Sequence, residues 1–170
     1  MFSIADEWLR KLANDIKEKD HAEAEKQARE NEERALIVQH GPVLWHSFAD
    51  VLQRFVTEMT AAFHDDVTLR EGPLSFAFRP PQGDQIVITK AAFPFASFTA
   101  VPQYSQGLAS ITYSVINPQK SANLNLLPTT MLCRFEVSEN QRVFLQLDGE
   151  AFHQVDEAAK YVMEKLFTLK

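Results

Sequence analysis

The sequence predicts an α+β fold: a long N-terminal helical arm, then one amphipathic helix, a curled antiparallel β-meander of about six or seven strands, and a C-terminal helix, with helices covering one sheet face. Three observations carry this. From Val43 to Phe63 the residues Leu44, Phe48, Val51, Leu52, Phe55, Met59, Ala62 and Phe63 recur at steps of three and four, the period of a helix with one greasy face. After His64-Asp65-Asp66 the period falls to two, in β-favouring runs set apart by turn residues. The links between most of those runs are too short for the crossover a parallel pair requires, so neighbours run antiparallel.

The arm comes first. Phe2, Ile4, Trp8, Leu9, Leu12 and Ile16 form a short amphipathic helix, with Ser3 as its cap and Asp6 and Glu7 in the first turn, where the helix dipole favours carboxylates. From Lys17 to Arg34 twelve of eighteen residues are charged and the apolar ones are Ala22, Ala24 and Ala28 alone, so no coiled-coil seam runs through this stretch. Opposite charges four apart, such as Lys26 with Glu30, support a solvated helix by ~0.2–0.5 kcal/mol per pair. As a helix this stretch is a rigid spacer of about 27 Å at 1.5 Å per residue; the alternative is a frayed, flexible tether. Leu36, Ile37 and Val38 return the chain to an apolar surface, and Gly41-Pro42 is expected to end the arm and start the next helix. The division is therefore a charged helical arm over residues 1–40 and a single α+β domain over residues 41–170.

On the helix after Pro42, His46, Asp50, Gln53, Thr57 and His64 form the polar stripe, and truncating Phe55 at its centre to Ala is expected to cost ~3–5 kcal/mol. The predicted strands are Val67–Arg70, Leu74–Arg79, Gln85–Lys90, Phe93–Val101, Leu108–Ile116, Thr130–Val137 and Arg142–Leu147. Ile111, Tyr113 and Val115 alternate with Ser110, Thr112 and Ser114, a strand with one buried and one polar face. Asp148-Gly149 makes the turn before a last helix over Val155–Phe167, whose apolar stripe is Val155, Ala159, Val162, Met163 and Leu166.

Composition narrows the function. Net charge is −6, with seven basic and ten acidic residues in 1–40 and ten basic and thirteen acidic in 41–170, so neither part gathers the cations a nucleic-acid binder needs. No apolar run approaches the ~20 residues that span a bilayer, and the N-terminus is too charged for a secretory signal. The one cysteine, Cys133, lies in an apolar alternating run and reads as a core residue in a reducing compartment. A cytoplasmic protein is expected, with no nucleic-acid or membrane partner.

Catalytic chemistry finds little purchase. Each of the five glycines, Gly41, Gly72, Gly83, Gly107 and Gly149, serves a helix end or turn, leaving none for a phosphate cradle. His46 and Asp50, four apart, are two ligands where a catalytic zinc uses three, and His64-Asp65-Asp66 is ordinary helix-end chemistry. No cofactor and no metal is expected. The aromatics say more: of thirteen phenylalanines, Phe93, Phe95 and Phe98 share one strand at opposite parities, which demands aromatics on both faces or a bulge near Ala96-Ser97. They are the candidate ligand or partner surface. Trp8, Leu9, Leu12 and Ile16 are the candidate partner-binding residues of the arm, a stripe too short to be stable uncovered.

These observations lead to a non-enzymatic protein-interaction or assembly module, a homo-oligomer with a dimer favoured, or else one bound to a different protein. Two alternatives stand beside it. One is a binding domain for a small hydrophobic molecule; the other is an enzyme with an unrecognised site.

Overall fold

The computed structural model describes residues 4–65, 74–90, 95–116 and 128–167. A helix α1 (Ile4–Asp65) opens the chain. It is followed by strands β1 (Leu74–Arg79), β2 (Gln85–Lys90), β3 (Phe95–Gln103), β4 (Leu108–Ile116), β5 (Thr129–Val137), β6 (Val143–Leu147) and β7 (Glu150–Phe152), and by a helix α2 (Val155–Phe167). The seven strands form one sheet in the order β1 to β7, every neighbouring pair antiparallel. This is the α+β meander that the change of period announces. The strand predicted at Val67–Arg70 lies outside the described residues.

The first correction concerns Gly41-Pro42, which breaks nothing: arm and amphipathic helix are one continuous α1 of 62 residues. Proline costs a helix one backbone hydrogen bond and glycine costs ~1 kcal/mol, penalties that packing overrides. The packing is visible. Gly41 is buried with its α-carbon against the Tyr104 ring, where an added β-carbon would sit 3.0 Å from Cδ1. Glycine here serves a close approach between helix and sheet. Ile37, one turn earlier, is already in the core.

The core joins α1, α2 and the alternating residues of the strands. Trp45, Phe48 and Leu52 from α1 are fully buried with Ile86 and Ile88 of β2, Phe98 and Ala100 of β3, Ile111 of β4, Cys133 of β5, Leu145 and Leu147 of β6, and Ala158, Ala159 and Val162 of α2. The centre therefore lies one turn nearer Pro42 than the spacing suggests. Phe55 and Met59 are half-buried, and Ala62 is exposed. Trp45, which the predicted stripe leaves out, is at the centre of the packing.

Two strand readings also change. Pro102 belongs to β3, paired with Ala109, and not to the following loop. Asp148-Gly149, both at positive φ (50° and 87°), is a two-residue hairpin turn that adds β7 before α2. Within β3 the register against β4 runs unbroken from Phe95↔Ile116 to Gln103↔Leu108, so the strand carries aromatics on both faces without a bulge.

Candidate functional site

Three features stand apart from the packed core: the tip of α1, a groove between the ends of the two helices, and a polar hub at Asp84. At the tip, Trp8, Leu9, Leu12 and Ile16 are 61%, 53%, 40% and 50% exposed. They sit one above another at steps of three and four, on a helix whose following residues up to Ala35 are all exposed. The charged stretch between is helical, and Lys26 with Glu30 makes one of the expected pairs at 3.9 Å.

The groove lies at the far end of the same helix. Phe55 and Met59 of α1 face Met163 and Phe167 of α2 across a cleft of about 310 Å³, edged by Glu58, Lys160 and Glu164. The lining arises from the local sequence: Phe55 and Met59 are one turn apart on α1, and Met163 and Phe167 one turn apart on α2. Arg54 bridges the helices through an ion pair to Asp156. Two flexible thioethers and two phenyl rings make a surface that adapts to an incoming apolar side chain.

The hub holds α1 against the hairpin ends. Gly83 and Asp84, both in the left-handed region at φ 71° and 57°, turn the chain from a 3₁₀ turn over Pro80–Gln82 into β2. The backbone carbonyl of Asp84 accepts a hydrogen bond from the Trp45 indole Nε1 at 2.8 Å, and its Oδ2 accepts one from the Tyr104 hydroxyl, also at 2.8 Å. His46 Nε2 lies 3.3 Å from Oδ1. The partner of His46 is thus Asp84 across the fold and not Asp50 one turn on. Burial, the hydrogen bond to Asp84 and that carboxylate's charge push the Tyr104 hydroxyl well above the ordinary phenol range. It is a permanent donor at neutral pH, suited to holding Asp84 and ill-suited to surrendering a proton. Phe135 packs on both Trp45 and Tyr104, with ring centroids 5.9 and 5.5 Å away.

A smaller counterpart anchors α2. Asp148 accepts from the Leu132 backbone N–H at 3.0 Å and from the Tyr161 hydroxyl at 3.1 Å. The Tyr161 hydroxyl is raised as well, first by burial and then by that bond. Each of these two turn aspartates thus ties a helix to the sheet, Asp84 through Trp45 and His46 of α1 and Asp148 through Tyr161 of α2. Cys133 is buried, and desolvation first, then the Asp148 charge, push its thiol up to about 12, so it is held as the unreactive thiol.

Of the proposed sheet-surface aromatics, Phe95 is 45% exposed, whereas Phe98 is fully buried in the core, so the two do not form one surface; Phe93 lies outside the described residues. The parity argument foretells this split. The hub was not foreseen, since a Trp, a turn Asp and a Tyr spaced about twenty to forty residues apart carry no motif; the one signal is the Gly83-Asp84 pair, which favours left-handed backbone. Among the described residues no three His, Cys, Asp or Glu side chains are placed to share a metal ion, and no helix is long and apolar enough to cross a membrane. Comparison of the chain with protein-family models, with curated proteins and with solved structures finds no match.

Proposed function

We propose that the protein is a non-enzymatic assembly module in which α1 carries an apolar stripe away from the sheet domain and delivers it to a second chain. The observation that carries this is the exposure of Trp8, Leu9, Leu12 and Ile16 at the end of an uninterrupted helix. A large apolar stripe on solvated backbone is a liability unless a partner covers it, and the helix itself holds it away from the chain's own core. In this reading residues 1–40 are the arm and residues 41–170 the body, a sheet curled about α1 with both helices on one face, and Ile37 is the first residue of α1 in the core. A homodimer is the favoured assembly, because a two-fold axis lets two identical arms exchange contacts at once. The single buried thiol suits a reducing compartment such as the cytoplasm.

The test is sedimentation equilibrium of the full chain beside a triple variant, Trp8→Ser, Leu12→Ser and Ile16→Ser. A dimer at micromolar concentration that becomes a folded monomer in the variant is the expected result. A full chain that stays monomeric well above micromolar concentration overturns the reading.

One observation favours a second function. The groove of Phe55, Met59, Met163 and Phe167 is apolar and of the size that takes a small hydrophobic molecule. Native mass spectrometry of the purified chain separates the readings: a retained small molecule on a monomer supports ligand binding, and a bare dimer supports assembly.

A further inference from the structure

We infer that the receptor for the arm is the Phe55, Met59, Met163 and Phe167 groove of a second copy, reached by laying two α1 helices side by side and antiparallel. The inference rests on the reading of the arm as an assembly device, and it adds which surface receives it, in which direction and in which register.

Geometry first removes the intramolecular alternative. Leu12 and Met59 lie on one helix, about 70 Å apart at 1.5 Å per residue, so no arm reaches the groove of its own chain. Length then suits a two-fold exchange. Residues 6–35 are exposed and the core begins at Ile37, so the arm is about as long as the core-bound half of the same helix. An axis near the middle of α1 therefore places each arm along the other copy's core-bound half, tip over groove, and makes both contacts identical. Chemistry agrees at the tip. With Trp8 near Met59 and Leu12 near Phe55, an indole meets thioethers and phenyl rings, the kind of pocket that accepts an aromatic anchor.

Charge supplies the register. Along the arm Lys11, Asp15 and Lys19 alternate in sign at steps of four; along the exposed side of the body half Glu58, Arg54 and Asp50 alternate at the same step. Antiparallel placement of tip over groove sets Lys11 by Glu58, Asp15 by Arg54 and Lys19 by Asp50, three opposite pairs. Asp15 there joins the ion pair that Arg54 already makes with Asp156. Slipping the helices by one turn in one direction sets Lys11 by Arg54 and Asp15 by Asp50; in the other it sets Asp15 by Glu58 and Lys19 by Arg54. Every one of those is a pair of like charges. Among these three registers only the one with tip over groove is attractive throughout, and it alone forms all three opposite pairs, the signature of a contact selected against its neighbours.

The test uses the unaltered full chain. Treatment with a carbodiimide, which joins a lysine amine to a carboxylate as an amide with loss of water, should link Lys11 to Glu58 and Lys19 to Asp50. A mixture of light and nitrogen-15-labelled chains should show these links between isotopes. Sedimentation adds the energetic arm: Lys11→Glu with Lys19→Glu should weaken the dimer at least tenfold, and adding Glu58→Lys with Asp50→Lys should recover it to within about threefold. A dimer whose inter-chain links stay within residues 6–20 of both arms, or whose charge reversal is not rescued, overturns the groove assignment and leaves the arm as the interface. A chain with no dimer at all overturns the underlying reading as well.

Discussion

Asp84 shows how one residue at an unfavourable backbone angle is retained because three elements converge on it. Its left-handed conformation is tolerated by Asp better than by most side chains, and its two functional ends hold Trp45 of α1 and Tyr104 of the β3–β4 turn. Tyr104→Phe removes the donor and leaves the carboxylate partly solvated, so a loss of about 1–2 kcal/mol is expected in urea unfolding. Trp45→Ala, which empties the centre of the core, should cost ~3–5 kcal/mol. Phe55→Ala, half-buried at the groove, should cost less than Trp45→Ala, in contrast to its place at the centre of the apolar spacing. Equal losses for the two would contradict the packing. Cys133 makes a pH prediction. Its thiol is shifted from 9.0 to about 12, so between those values the native state holds a proton that the unfolded chain has released, and stability falls as pH rises. Cys133→Ala should flatten that fall between pH 9 and 11; an unchanged slope would mean the thiol titrates normally.

At the scale of elements, the helix around Phe48, the meander and α2 were legible because each shows its own period over enough residues to be unambiguous. β2, β4 and α2 keep the predicted bounds. What was not legible follows from tertiary contacts that no local pattern reports. Gly41-Pro42 carries a strong breaking signal, yet α1 runs through it because Tyr104 needs the missing β-carbon and Ile37 and Trp45 are both anchored in the core. The arm stripe was legible as a cluster of large apolar residues, but the groove was not, since half of it comes from α2, more than a hundred residues later. Gly41→Leu tests the packing argument: it should raise helix propensity yet lower stability by about 1–3 kcal/mol through collision with the Tyr104 ring. A more stable protein on thermal unfolding would show that the glycine is an accident of sequence.

At the scale of the whole molecule, the length of α1 converts the arrangement of a dimer into a measurable size. A helix of 62 residues is about 93 Å long, so a monomer already has an extended scattering profile. If two copies lie antiparallel with each tip over the other's groove, the two rods cover the same span, and the greatest dimension of the dimer stays near 100 Å. If the arms instead meet tip to tip through Trp8, Leu12 and Ile16, the bodies stand at opposite ends of a rod of about 160 Å, from the same rise per residue. Small-angle X-ray scattering of the full chain at dimeric concentration separates the two without any substitution. A further variant checks the rod itself. Ala28→Pro, in the exposed charged stretch where packing cannot compensate for a lost backbone bond, should kink or break α1 and shorten the monomer. It should also weaken the dimer, because a bent arm loses its alignment with the partner's charges. A variant that shortens the monomer yet dimerises as well as the parent would show that the arm works as a tether and not as a rigid rod.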